Sequence, residues 1–120
     1  MYEEIDIVSK EKVLDLIDNP DTVIVNVLGI QAYNSIHIRN SISIPLNVLE
    51  KGGWKELPKE KLVITYCHSA TCNASKLAAS ILKKNGFSKV AAYEGGISEW
   101  TESGLPSEGL ETRKAELENE

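Results

Sequence analysis

Runs of apolar residues along the chain predict five strands. Two runs are rich in β-branched residues and nearly free of polar ones, namely TVIVNV at residues 22–27 and LVITY at residues 62–66. Such continuous runs are typical of central parallel strands, which are buried on both faces. Residues 90–93 form a third run, while residues 5–8 predict a short edge strand and residues 41–44 another short strand.

Helical periodicity fills the segments between these strands. After Asn73, apolar residues recur with the spacing of a helix face that packs on a sheet: Ala74, Leu77, Ala78, Ile81 and Leu82. Asn85 and Gly86 supply a left-handed stop, and Phe87 is expected to fold back onto the last turn. Ser9 is expected to cap an earlier helix.

Three shorter helices complete the alternation. They are predicted for residues 29–36, for a turn after Pro45, and for the segment that follows Gly95 and Gly96, whereas residues 51–58 are predicted to form a loop. Strands that alternate with helices predict an α/β fold, in which a central parallel sheet is flanked by helices on both sides.

The length of the chain limits the number of domains. Of its 120 residues 42% are hydrophobic, which is enough for one modest core. We therefore expect one domain over residues 1–106. Residues 107–120 are strongly charged and are expected to form a solvated helix or a disordered tail.

The net charge of the chain narrows the classes of molecule that it is expected to bind. Thirteen Lys and Arg against 18 Asp and Glu give a net charge of −5, and no basic stripe is interleaved with aromatic residues, so nucleic acid is not an expected partner. The charged N-terminal segment does not resemble a secretory signal, and no apolar run is long enough to span a membrane. We expect a cytoplasmic protein that does not bind membranes, and the sequence leaves its oligomeric state open.

Two cysteines, Cys67 and Cys72, are the chemically distinctive residues. They are too close in sequence to join distant parts of a fold, which favours a chemical role. Cys67 directly follows a predicted buried strand and therefore lies at the carboxyl edge of the sheet, where open α/β folds bind ligands. Loop amides and the start of the next helix are expected to favour its thiolate. The alternative is that Cys67 is a small buried core residue.

Four separated segments together resemble the rhodanese family over about residues 5–106. They are VIVNV with the following GIQAY, then HIRNSISIPL, then ITYCHSATCNAS, and finally GFSKVAAYEGGISEWTESGLP. The resemblance implies a parallel sheet flanked by helices and a catalytic cysteine at Cys67. In the family's mechanism this thiolate takes the outer sulfur of a donor such as thiosulfate and passes it, as a persulfide, to a nucleophilic acceptor.

The resemblance also implies which residues bind the substrate. They are the loop residues after Cys67, with the backbone amides of residues 69–72 around the negative sulfur: His68, Ser69, Ala70, Thr71 and Cys72. No cofactor or metal is implied, and the partners are a small sulfur donor and a thiol acceptor, which can be a protein. The six residues from Cys67 to Cys72 match the loop of sulfur-transferring members, whereas phosphatase and arsenate-reducing relatives have one residue more.

Some positions depart from the family pattern. The segment 67–73 contains no arginine or lysine, and His68 is only partly charged at neutral pH, so we expect weak use of thiosulfate and a better fit to a neutral or protein-bound persulfide donor. Asn26 replaces a common aspartate and is expected to form local hydrogen bonds. Asn40 is expected to adopt a left-handed turn.

Three functions remain open at this point. The leading hypothesis is a sulfurtransferase that works from Cys67. The others are a non-catalytic persulfide carrier or interaction module, and a thiol redox protein in which Cys72 attacks an oxidised or persulfidated Cys67. Cys72 is equally well explained as a packing residue, and His37 is interpreted as a hydrogen-bonded structural residue in preference to a base or a zinc ligand.

Overall fold

A five-stranded parallel sheet forms the centre of the protein, in a computed structural model that describes residues 4–118. The strands follow the order β1-β6-β5-β2-β4, and every neighbouring pair is parallel. A separate antiparallel pair joins β3 to β7. The strands are β1 (Asp6–Ile7), β2 (Thr22–Asn26), β3 (His37–Ile38), β4 (Ile42–Ser43), β5 (Leu62–Tyr66), β6 (Val90–Tyr93) and β7 (Ser107–Glu108). The predicted parallel α/β architecture is confirmed.

Helices connect the strands as the periodicity predicts. They are α1 (Lys10–Leu16), α2 (Ile30–Ser35), α3 (Leu46–Glu50), α4 (Ala74–Lys84), α5 (Gly96–Glu102) and α6 (Leu110–Glu118). Ser9 caps α1 by accepting a hydrogen bond from Lys12 N, and the Phe87 N–H returns to the Leu82 carbonyl at the end of α4. The predicted loop at residues 51–58 contains a 3₁₀ turn at Gly53–Glu56.

Alternation along β5 divides the core into two layers. Val63 and Cys67 face one layer, which also contains the buried side of α4, whereas Ile64 and Tyr66 face the other, which contains Trp100. Successive strand residues point to opposite faces of a sheet, so the position of Cys67 two residues after Thr65 directs it towards α4. The alternation of side chains along β5 therefore places Cys67 next to α4.

The buried face of α4 differs from the predicted stripe. Leu77 is 48% exposed, while Ser75 and Ala79 are fully buried together with Ala78 and Leu82. Small residues let a helix approach a sheet closely, so here the helix presents its small side chains to β5 and leaves the larger Leu77 outside. The predicted apolar stripe did not include Ser75 or Ala79.

The charged C-terminal segment is partly integrated into the fold. Ser107–Glu108 pairs antiparallel with β3, and α6 follows it. Leu110 and Leu117 on α6 are mostly exposed, which agrees with a solvated helix. Residues 119 and 120 of the predicted tail lie outside the described residues, and the division of the chain at residue 106 stays a prediction. None of the helices within residues 4–118 is both long and apolar enough to cross a membrane.

A buried hydroxyl organises the polar residues beneath the sheet. The Tyr66 hydroxyl accepts hydrogen bonds from Asn26 Nδ2 at 3.0 Å and Ile38 N at 3.1 Å, and it lies 2.8 Å from Ser41 Oγ. Asn26 Oδ1 also accepts the N–H of Leu28. Local hydrogen bonding by Asn26 is therefore confirmed. The left-handed conformation of Asn40, with φ of 69°, is confirmed as well.

Replacing Tyr66 with phenylalanine is expected to lower the free energy of unfolding by about 2 to 3 kcal/mol, because buried donors lose their acceptor. Urea denaturation measures this change. The control is Tyr33→Phe, since the Tyr33 hydroxyl is half-buried and donates a single hydrogen bond, to the Ser41 carbonyl. Equal losses of stability in the two variants would contradict the central role of the Tyr66 hydroxyl.

Candidate functional site

Cys67 lies at the carboxyl end of the central strand β5, and its side chain is fully buried. The thiol donates a hydrogen bond to the carbonyl oxygen of Cys72, with 3.5 Å between sulfur and oxygen. The thiol of Cys72 is only partly buried, and both cysteines are reduced. The structure thus brings the two cysteines together.

Helix α5 holds the start of the loop after Cys67. Ile97 N donates to the carbonyl of Cys67 at 3.0 Å, and Ser98 N donates to that of His68 at 2.9 Å. Gly96 adopts φ of +65°, and a Cβ at this position would lie 2.5 Å from the Cys67 carbonyl oxygen. The backbone contact requires glycine, and it fixes the loop against the first turn of α5.

A tight turn closes the rest of the loop. Cys72 N donates to the Ser69 carbonyl at 3.0 Å, and the hydroxyls of Ser69 and Thr71 lie 3.0 Å apart. The Cys72 amide is therefore engaged within the turn. The side chains of His68, Ala70 and Thr71 are exposed to solvent.

Ser75 is a site residue that the sequence interpretation missed. It lies in the first turn of α4. The buried hydroxyl of Thr65 donates a hydrogen bond of 2.7 Å to the Ser75 carbonyl oxygen. The Ser75 hydroxyl is itself buried, and among residues 4–118 it has no hydrogen-bond partner. Both the backbone and the hydroxyl of Ser75 act to lower the pKa of Cys67. The apolar pattern of α4 does not include Ser75, so the sequence carried no signal for its burial beside the thiol.

The two thiols differ in acidity, and the pKa of Cys67 is raised although its position was expected to favour the thiolate. Burial raises the pKa of Cys67, the hydrogen bond with Cys72 raises it further, and Ser75 offsets this only in part. Burial also opposes ionisation of Cys72, yet hydrogen bonds from Cys67 and from backbone groups of Ala74 and His68 lower its pKa. These contacts favour the neutral form of the Cys67 thiol and the ionised form of the Cys72 thiol.

The cation nearest to the loop in sequence is already paired. Lys76 follows Ser75, and its Nζ lies 2.7 Å from Glu94 Oε1. Both side chains line a groove of about 680 Å³ that also contains Asn73 at the end of the loop. The groove therefore presents a neutralised ion pair next to the site, and the rest of its wall combines apolar residues such as Leu77 and Ile81 with the charged Glu50 and Lys84.

The sequence matches the model of the Rhodanese-like domain family over residues 9–103. The chain belongs to the rhodanese-like domain family. Its matches include the adenylyltransferase and sulfurtransferase uba4 of Ogataea parapolymorpha, at 33% identity over 65% of this chain and 20% of that protein. The putative sulfur carrier protein YrkF of Bacillus subtilis is 33% identical over 78% of this chain and 50% of its own length.

A third match is the tRNA uridine(34) hydroxylase of Photorhabdus laumondii, which is 32% identical over 80% of this chain and 29% of that protein. This rhodanese-like domain thus spans half or less of the length of these curated relatives.

Solved structures agree with the family assignment. The BH2092 protein of Bacillus halodurans superimposes with a TM-score of 0.82 at 31% identity, over 88% of this chain and 78% of that one. The rhodanese-like domain of the Anabaena Alr3790 protein has a TM-score of 0.78 over 92% of this chain and 83% of its own, and at 22% identity it supports the fold alone.

His37 has a structural role in this rhodanese-like domain. Its ring stacks on Tyr33 with 3.8 Å between centroids, and Nδ1 donates to the Tyr33 carbonyl at 2.7 Å. Nε2 lies 3.8 Å from a carboxylate oxygen of Glu108 on the paired strand β7. The prediction of a hydrogen-bonded structural histidine is confirmed.

Proposed function

We propose that this rhodanese-like domain is a sulfurtransferase that moves sulfane sulfur through a persulfide on Cys67. The Cys67 thiolate attacks the outer sulfur of a donor, either thiosulfate or a persulfide, and the S–S bond of the donor breaks. With thiosulfate the leaving group is sulfite. A thiol or another nucleophile then takes the outer sulfur and returns Cys67 to the thiolate.

The position of the Cys67 sulfur carries the proposal. It lies at the end of a central strand and against the first turn of α4, next to the Ser75 hydroxyl that lacks a partner within residues 4–118. A terminal persulfide sulfur is anionic and accepts hydrogen bonds, so this hydroxyl supplies a donor to the loaded state. Membership of the rhodanese-like family and the sulfur-related names of two relatives agree with this chemistry.

Two other functions, a persulfide carrier and a thiol redox protein, would differ from a sulfurtransferase in measurable ways. The carrier would differ in turnover, and the redox protein in the oxidation state of its cysteines. A persulfide carrier is favoured by the similarity to the putative sulfur carrier protein, and it would load once per chain without turning over small thiols. A thiol redox protein is favoured by the contact between Cys67 and Cys72. It would cycle between dithiol and disulfide without any sulfur donor.

The experiment is intact-mass spectrometry of the reduced chain after exposure to thiosulfate or to a persulfide donor. We expect a gain of one sulfur atom per chain, followed by repeated turnover when a small thiol acceptor is added. Failure of both the native chain and Cys72→Ser to acquire sulfur from either class of donor would refute the sulfurtransferase proposal.

Thiosulfate is expected to be a weak donor because Glu94 neutralises Lys76 beside the loop. Replacing Glu94 with glutamine should release the positive charge and lower the thiosulfate concentration for half-maximal loading by about two- to fivefold, the scale of an exposed ion pair. A new cation in Thr71→Arg should act in the same direction. Loading kinetics measured against thiosulfate concentration test both variants.

The control for donor charge is a neutral organic polysulfide. Its loading should be unaffected by Glu94→Gln, because it carries no charge for Lys76 to attract. Saturation of the native protein at low thiosulfate, or an equal effect of the substitution on both donors, would contradict the role of the ion pair.

A further inference from the structure

The loop places a second thiol against the proposed persulfide site. The Cys67 sulfur lies 3.5 Å from the Cys72 carbonyl oxygen, and the two side chains are within hydrogen-bonding reach of each other. The turn from Ser69 to Cys72, closed by a 3.0 Å backbone hydrogen bond, holds Cys72 in this position. Any sulfur carried by Cys67 therefore forms next to another nucleophile.

The two cysteines differ in their exposure to solvent. Cys67 is fully buried, while Cys72 is partly exposed. A persulfide on Cys67 has its inner sulfur where the Cys67 thiol lies now, in direct contact with Cys72. The outer sulfur extends beyond that position. Cys72 is consequently a thiol in contact with the inner sulfur.

We propose that Cys72 discharges the Cys67 persulfide by attacking its inner sulfur, which expels the outer sulfur as sulfide and leaves a Cys67–Cys72 disulfide. The proposal rests on the proposed sulfurtransferase function. The electron pair of the Cys72 thiolate forms the new Sγ–Sγ bond, and the bond between Cys67 Sγ and the outer sulfur breaks. Its electron pair leaves with the outer sulfur, which takes up the proton released when the Cys72 thiol ionises and departs as HS⁻.

This step needs no external oxidant. The outer sulfur is reduced to sulfide while the two cysteine sulfurs are oxidised to a disulfide. A low-molecular-weight thiol, the same class of compound as the proposed acceptor, then reduces the disulfide and restores both cysteines. Each cycle consumes two such thiols and releases one sulfide.

Leaving-group acidity favours attack on the inner sulfur. Attack on the outer sulfur would have to expel the Cys67 thiolate, and burial raises the pKa of that thiol. Attack on the inner sulfur expels hydrosulfide, the conjugate base of a stronger acid than an ordinary thiol, and weaker bases leave faster. The lowered pKa of Cys72 favours its ionisation and so its attack.

The test follows a loaded chain in the absence of any small thiol. The full reduced chain is treated with a sulfane donor and desalted, and intact mass and free sulfide are then recorded over time. The native protein should lose its adduct, release one sulfide per chain and finish two hydrogens lighter than the reduced chain. In Cys72→Ser the adduct should persist about tenfold longer or more, until an external thiol is added.

A displaced thiol serves as the matched control. Ser88 is exposed and precedes β6, at the opposite end of the sheet from Cys67. The double variant Cys72→Ser, Ser88→Cys restores the number of thiols without restoring their contact. Its adduct should be as long-lived as that of Cys72→Ser.

Three results would overturn the inference. The first is a native adduct as persistent as that of Cys72→Ser, and the second is rapid discharge in the double variant. The third is a sulfur adduct mapped to Cys72 by alkylation and peptide analysis, which would mean attack on the outer sulfur. If Cys72→Ser acquires no adduct from any donor, the proposed sulfurtransferase function fails, and this inference fails with it.

Discussion

Replacing Cys67 with serine is expected to abolish sulfur loading and transfer. The serine hydroxyl is a poor nucleophile without a neighbouring base, whereas a thiol attacks once it ionises. The hydroxyl can still donate to the Cys72 carbonyl, as the thiol does now. We therefore expect a folded protein whose melting temperature lies within about 4 °C of the native value, the shift produced by roughly 1 kcal/mol or less.

The mass of each variant after incubation with donor tests this expectation. Cys67→Ser should gain no sulfur, while Cys72→Ser should gain one sulfur on Cys67. The comparison controls for loss of a thiol as such, because each variant keeps one cysteine. An adduct retained by Cys67→Ser and lost in Cys72→Ser would reverse the assignment of the two cysteines.

Replacing Gly96 with alanine should disrupt both the fold and the site. The backbone at Gly96 has φ of +65°, and an added Cβ would lie 2.5 Å from the Cys67 carbonyl oxygen and 2.7 Å from that of His68. The left-handed conformation alone costs about 1 to 2 kcal/mol for a non-glycine residue. Relief of the clash must also move the backbone of the loop, so we expect a total loss of about 3 kcal/mol or more.

Gly104 provides a control with the same backbone conformation. Its φ is +69°, and nothing lies within 4 Å of a Cβ built there. Gly104→Ala should therefore lose only about 1 to 2 kcal/mol and should load sulfur at the native rate. Urea denaturation and loading kinetics compare the two variants. Similar behaviour of Gly96→Ala and Gly104→Ala would mean that the contact with the loop carbonyls is unimportant.

The sequence was enough to predict the central strands and the position of the site cysteine. The apolar segments 22–27 and 62–66 predicted the two central strands, because only a strand covered on both faces tolerates so continuous an apolar run. Cys67 follows one of these strands, so its place at the carboxyl edge of the sheet was also predictable. Its catalytic role remains a proposal.

The charged C-terminal segment contains a strand that its residue composition did not predict. Ser107 and Glu108 are polar and carry no strand pattern, yet they pair with His37–Ile38. Backbone hydrogen bonds form this pair, and they depend on which segments the fold brings together and not on the side chains. A pattern of hydrophobic residues therefore contains no signal for such a strand.

The acidity of the two cysteines was decided by the tertiary structure. Sequence spacing places amides and a helix start near Cys67, and these favour a thiolate. It gives no information on how completely the thiol is removed from water, and burial dominates the pKa of Cys67. The same packing leaves Cys72 partly exposed and hydrogen-bonded, and its pKa is lowered.

The sequence by itself determined the order along the chain of the five parallel strands and of the helices that connect them, and the position of Cys67 at the end of β5, since both follow from local periodicity. The rotation of α4 that buries Ser75 beside this thiol and the pairing of Lys76 with Glu94 arise only in the folded chain. Each depends on the closeness of elements that are distant in sequence. Desolvation and Coulomb interactions are set by such three-dimensional distances, and local sequence patterns do not encode them.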